Sequence, residues 1–466
     1  MLSQNFSSSL RGVLQLLRQA LSSHQMDYTA MPVRRAIVLL AVPMILELCM
    51  ESVFALVDIF FVNRWLGNHA VTAIGLTESV LSLVYAMAIG ISMAATAMVA
   101  RRTGEKDAEG AATAAAQALM LGLGVSVIIA LAGSWFAADI LRLMAAEPET
   151  IARGAGYTRI VLGGNIVIVG LFLINGIFRG AGNAIMAMKS LWLANIINIL
   201  LCPLGIWWLG IEGAAWATTI GRGAGVVYQL YHLWGGNSFV QIQSKHLRPV
   251  KPVLRSLLNI ASTGTLQFII ASGSWIVLAR LVAETGHSAA SAGYQTAIRV
   301  LLFFLLPAWG LSNAAATLVG QHLGAKQPAM AQKSVYETAR INAWFMAMVT
   351  GLFVLGAPWL IGWFTQEPQA RQFGIQALSI ISAGYVFYGI GMVLANAFNG
   401  AGDTRTPTFI NLFGFWMLQI PLAILLSKYG QLGPKGVFIA IPVAETVITL
   451  VAYYFFKRGA WKRVVV

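Results

Sequence analysis

Residues 46–62 read LELCMESVFALVDIFFV and place Glu47, Glu51 and Asp58 in one of the most apolar stretches of the chain. At about 100° per residue, Glu51 lies roughly 40° around a helix axis from Glu47, and Asp58 roughly 20°. The three acids therefore share one face, spread over roughly 16 Å at about 1.5 Å per residue. A charge at the bilayer centre costs about 2.5–3.5 kcal/mol or more, so scattered acids are hard to keep there, whereas aligned acids can share one wet cavity. A carboxylate in such a place is neutral when sealed and ionised when water or a cation reaches it. Protons and organic cations then compete for the same negative site, and binding one releases the other. The alternative is neutralisation by buried bases. Arg159, Arg222, Arg280, Arg299 and Arg340 are the candidates, and Arg159, in the same half, is the best placed. Glu78 and Glu445 are further acids in apolar segments, each open to either reading.

Other polar residues carry weaker signals. Asn165, Asn195, Tyr294 and Gln295 are positioned to line a cavity, although interhelical hydrogen bonds are the default for such residues. The 17 Met and 14 Trp suit an adaptable apolar cavity, and most face lipid or the interface. His24, His69, His232, His246, His287 and His322 show no metal-ligand spacing, and Cys49 and Cys202 sit in apolar segments outside any disulfide framework. No nucleophile with a base and no phosphate loop is present, which argues against an enzyme.

The elements that must position the acids are long apolar helices. The chain has 466 residues, 58% hydrophobic and only 10% charged, against about a quarter charged in soluble domains. Runs near or beyond about 18 apolar residues recur throughout, without the alternation of a barrel, so the expectation is an all-α membrane protein with about twelve transmembrane helices. The net charge of +14 sits in short loops rather than in a patch with interleaved aromatics, so it reads as a topology signal and not as a nucleic-acid footprint. With both termini cytoplasmic, inside loops and tails hold about 20 Lys and Arg and outside loops about 7. Residues 1–30 are an N-terminal leader without a signal-peptide core. It is a surface helix, with Leu10, Val13, Leu14, Leu17 and Leu21 on one face, or a disordered leader, or the result of a start codon placed too early, Met31 standing just before the first span.

The chain repeats itself. GISMAATAMVARRTGEK begins at Gly90 and GLSNAAATLVGQHLGAK at Gly310, an offset of 310 − 90 = 220. The same offset pairs Phe178-Arg179-Gly180-Ala181-Gly182 with Phe398-Asn399-Gly400-Ala401-Gly402, and Pro32 and Arg35 with Pro252 and Arg255. The expected domains are an N-terminal lobe over 31–235, a cytoplasmic linker over 236–251, a C-terminal lobe over 252–457 and a tail over 458–466. Six spans per repeat give both lobes the same orientation, related by a pseudo-two-fold axis along the membrane normal. Two lobes rocking about a central cleft is an architecture for alternating access.

The chain resembles the MATE (multidrug and toxic compound extrusion) family of prokaryotic type over roughly Met31 to Lys457. The carriers are Val57-Asp58, the paired Gly-x-Ser-x-Ala-Ala segments, and the Arg-Gly-Ala-Gly and Asn-Gly-Ala-Gly-Asp-Thr segments. The resemblance implies an antiporter that exports small organic, mostly cationic compounds or drugs, driven by inward protons or sodium as the coupling ion, with no other cofactor. It implies a cation site at Asp58, Asn175, Asn198, Cys202 and Thr218 or Thr219, with Cys202 standing where the family expects an aspartate. Cysteine removes a hard oxygen ligand, which favours protons over sodium. Relatives with acids in the second lobe would correspond to Asp403, with Asn183 its first-half counterpart, and to Gln267, which is not an acid. Glu47 and Glu51 are additions of this sequence. The expected protein is a monomeric, multi-pass cell inner-membrane antiporter that binds no nucleic acid. A flippase of lipid-linked oligosaccharide precursors is the alternative, kept open by Arg159 and Arg222.

Overall fold

The computed structural model describes residues 12, 15–22, 26–66, 68–235 and 239–466, and its elements are helical throughout. The first six spans are α1 (Val33–Trp65), α2 (Asn68–Gly104), α3 (Ala108–Trp135), α4 (Pro148–Gly163 continued by Asn165–Gly180), α5 (Ala184–Leu209) and α6 (Ile211–Gly235). The stretch Lys251–Gly324 is interrupted at His287, whose φ of 56° no helix accommodates, so it comprises α7 (251–286) and α8 (288–324). Then follow α9 (Pro328–Gly362), α10 (Pro368–Ser382 with Tyr385–Gly400), α11 (Arg405–Tyr429) and α12 (Pro434–Arg458). Prolines open many of them at a first-turn position where no amide hydrogen is needed, and Asp107 caps α3 by accepting from the Gly110 amide at 2.8 Å. By length and apolarity alone, nine of the described helices qualify as spans, or ten with the bent α10 pair; the break at His287 and the more polar α6 complete the twelve.

The repeat is visible as paired geometry. α4 bends at Gly164 and α10 at Gly384, 220 residues on, the latter by 54°. A Cβ on Gly104 would overlap the Gln321 carbonyl oxygen, and one on Gly324 would overlap that of Arg101. A Cβ on Gly90 would meet the backbone and side chain of Thr265, and one on Gly310 the backbone of Ile45 at 2.9 Å. Each contact maps onto its partner under the 220-residue offset, so α2 and α8 cross on the pseudo-axis with α1 and α7 alongside. Only glycine lets the backbones approach this closely.

These contacts hold the lobes together on the side that carries both termini. Gln321 donates to the Gly180 carbonyl at 3.0 Å, Arg34 pairs with Glu337 at 3.0 Å, and Arg101 donates to the Val464 carbonyl at 2.8 Å. Of the leader, residues 15–20 are helical and rest on α1 through Arg35 and Gln19 at 2.8 Å, while Leu10, Val13, Leu14 and His24 lie outside the described residues. The linker is pinned to α3, where Gln117 donates to the carbonyls of His246 and Arg248. At the far side, exposed tryptophans end the helices that run away from the termini: Trp65, Trp135, Trp207, Trp208, Trp359 and Trp363. That is where a membrane interface seats them.

Candidate functional site

The site is built in the N-terminal lobe, where α1 turns its acidic face toward α4, α5 and α6. Glu47 is buried, and its Oε1 accepts from Asn175 Nδ2 at 3.0 Å and from Arg179 Nη1 at 3.4 Å, both on α4. Asn175 Oδ1 in turn accepts from Ser190 Oγ at 3.1 Å on α5 and from Gln229 on α6. One turn further along α1, Glu51 Oε1 accepts from Arg222 Nη2 at 2.9 Å and its Oε2 from Asn195 Nδ2 at 3.1 Å. Two turns beyond, Asp58 Oδ1 accepts from Cys202 Sγ at 3.6 Å. Asn198 donates to Thr218 Oγ1 at 2.9 Å, which identifies Thr218 rather than Thr219 as its partner; Thr219 bonds its own helix at the Ala215 carbonyl.

The structure therefore brings together Glu47, Glu51, Asp58, Asn175, Asn198, Cys202 and Thr218. It does not bring Asp403 to them. That carboxylate accepts from the backbone amide of Thr406 at 3.2 Å and from its hydroxyl at 2.7 Å, as a cap on α11. Asn165 ties the α4 bend to α3 through the Ser126 carbonyl at 3.1 Å. Tyr294 is buried against Phe438 in the core of the other lobe, Gln295 is exposed, and Gln267 is buried on α7. Among the described residues no three of His, Cys, Asp or Glu are grouped to hold a metal.

The basic partners differ from the expected one. Arg159 faces outward and donates to the Ser134 carbonyl at 3.2 Å, while Arg179 and Arg222 take the acids. Helical spacing ranks residues within α1 but carries nothing about how α4 and α6 are rotated toward it. Glu78 on α2 joins the site within electrostatic reach of Asp58 and Arg222. Phe54 and Tyr85 flank the Arg222 guanidinium at 5.6 and 6.0 Å from their ring centroids. Neither ring, nor Ser190 nor Gln229, stands out in the sequence, because aromatic and small polar residues in apolar helices are common. The resulting site has four acids and two arginines, graded from the buried Glu47 and Arg222 through the half-buried Glu51 and Asp58 to the exposed Glu78. It can hold a positively charged group and exchange it for a proton or another cation; it has nothing to make or break a covalent bond.

The MatE family model matches residues 43–204 and 265–425, one stretch in each lobe. The probable multidrug resistance protein YoeA of Bacillus subtilis (strain 168) is 26% identical over 442 residues, covering 92% of this chain and 94% of that protein. A crystal structure of MATE in complex with MaL6 superposes with a TM-score of 0.90 at 25% identity, over 95% of this chain and 100% of that one. An outward-facing multidrug resistance MATE family transporter of the MOP superfamily does so at 0.88 and 25%, over 97% and 98%. The two lobes, the polar interior of the first and a family model spanning well over half the residues have one meaning: this chain belongs to the MatE family, and is a transporter rather than an enzyme.

Proposed function

We propose that this protein is a secondary antiporter that exports small organic cations by alternating access, in exchange for protons. The observation that carries the reading is the convergence of Glu47, Glu51 and Asp58 on one polar face of the first lobe, with the exposed Glu78 within electrostatic reach. An interior with more acids than bases takes up positive charge, either as protons or as a bound cation. Protons are favoured over sodium because the oxygen ligands are dispersed. Asn175 is committed to Glu47, Ser190 and Gln229, Asn198 donates to Thr218, and the atom next to Asp58 is a sulfur. An anionic lipid-linked substrate is disfavoured because Arg179 and Arg222 are already engaged by carboxylates. The excess of Lys and Arg on the termini side supports a cytoplasmic placement of both ends. The lobes touch on that side, which closes the cleft toward the cytoplasm in this reading.

Dye efflux from proteoliposomes, with proton and sodium gradients imposed separately, tests this. Wild type should respond to the proton gradient, and Asp58→Asn should lose about tenfold or more of that response. Full activity of Asp58→Asn would remove Asp58 from the mechanism, and transport driven by sodium alone would remove the protons.

A further inference from the structure

Arg222 is a buried cation held between a carboxylate and two aromatic rings. The residue is 3% exposed, on the face of α6 that meets α1. Its guanidinium has a carboxylate at 2.9 Å on one edge and the rings of Phe54 and Tyr85 at 5.6 and 6.0 Å. A carboxylate beside aromatic faces is the environment that draws an organic cation out of water. A guanidinium retained for structure usually spends its fork on two parallel bonds. Arg222 holds by one arm: its Nε and Nη1 are buried and hydrogen-bond to nothing. Glu51 by contrast is satisfied on both oxygens, by Arg222 and by Asn195. Asp58 and Glu78 lie within electrostatic reach of the same guanidinium, and neither has an ion-pair partner among the described residues. One cation thus serves three acids, on a long side chain with little to release.

We propose that Arg222 is a tethered counter-cation that fills the aromatic-walled acidic site when it is empty, and that an organic cation binds by displacing its guanidinium from Glu51. This rests on the reading of the protein as an exporter of organic cations and names how that site selects them. The displaced guanidinium remains near Asp58 and Glu78, so the acids are never left bare in the apolar lobe. Ligands that win are those that outcompete a guanidinium for carboxylate and ring faces: large, delocalised, weakly hydrated cations rather than small ammonium ions.

Binding of radiolabelled tetraphenylphosphonium to the purified full chain at pH 8 tests the idea. Arg222→Gln removes the competitor, so affinity should rise by about tenfold over wild type. Unchanged or weaker binding by folded Arg222→Gln overturns the proposal. Should that variant not fold, the wild type answers by itself. The side-chain ¹⁵N resonance of Arg222, assigned by its loss in Arg222→Lys, should move, and its protons should exchange faster, on adding tetraphenylphosphonium. A bound ligand that leaves that resonance unmoved overturns the proposal. Absence of binding to both wild type and Arg222→Gln would instead remove the organic-cation reading on which it rests.

Discussion

The two lobes share a frame and invert its charge. From α1 to the start of α5 the repeat keeps its 220-residue register, but α11 winds through two π-helical stretches, Leu412–Gln419 and Leu425–Tyr429, that α5 lacks, and the turn before the last span is displaced. Gly210 (φ 61°, ψ −135°) and Gly433 (φ 55°, ψ −138°) adopt the same backbone, and they stand 433 − 210 = 223 residues apart. The shifted register places Pro442 opposite Thr219, and the structure agrees: Gly164 packs on Thr219 where Gly384 packs on Pro442. It also places Glu445 opposite Arg222. The first lobe has acids on α1 and an arginine on α6. In the second, the counterparts of Glu47, Glu51 and Asp58 are Gln267, Ala271 and Leu278, and the charge on the last helix is a carboxylate. Leu278 and Phe438 close the second interior as hydrophobic core. Glu445 is left beside Tyr385, Tyr388 and Trp275 with no ion pair among the described residues. Duplication thus supplies two similar frames, and the charged site is concentrated in one of them.

The largest effect should come from what the lobes share. Gly104→Val and Gly324→Val each drive a branched side chain into a partner carbonyl at the same crossing. Each should cost roughly 3 kcal/mol or more and most of the transport activity, since backbones that close cannot separate without opening the interface. Thermal unfolding and dye efflux measure this. Losses that differ by more than about 1 kcal/mol between the two would break the equivalence of the frame.

That frame was legible in the sequence because the repeat survives where packing forbids side chains. Gly90, Gly104, Gly310 and Gly324 are the residues that expose the 220-residue offset and also the residues at the crossing. The acidic face of α1 was legible from spacing, and Asn175, Asn198, Cys202 and one of Thr218 and Thr219 from family resemblance; the Asn198 bond singles out Thr218. Three things were not. The partner of Glu51 depends on how α6 is rotated against α1, which no single-helix periodicity encodes. The match of Arg222 with Glu445 is hidden by three inserted residues before α12. Asp403 reads as a site acid by family resemblance, while its Asp-Thr-Arg-Thr context lets it cap α11 by an ordinary local hydrogen bond.

A smaller pair of variants probes the inversion. Glu47→Gln strands the Arg179 guanidinium, which is largely buried and has lost its counter-charge, and should destabilise the protein by about 3 kcal/mol. Glu445→Gln removes an acid that has no cation to strand, so the melting temperature should hold or rise. Melting curves in detergent decide. Equal destabilisation by both would mean that Glu445 has a partner of its own and that the second lobe is charged like the first.

The smallest change sharpens the same contrast at a single atom. Cys202 gives Asp58 a weak S–H donor at 3.6 Å, and Cys202→Ser supplies a stronger donor of smaller reach. Gain and loss offset, so stability should move by no more than about 0.5 kcal/mol, with proton-driven efflux retained. The counterpart of Cys202 under the 220-residue offset is Leu422, which packs against the hydrophobic core of the second lobe. There the same serine forfeits apolar contacts and places a hydroxyl among them, and Leu422→Ser should cost about 2 kcal/mol. The difference between these two serines measures how polar each interior is at equivalent depth. Cys202 is itself buried in the hydrophobic cluster of the first lobe, so if Cys202→Ser is as damaging as Leu422→Ser, the apolar contacts of the sulfur and not its bond to Asp58 hold position 202.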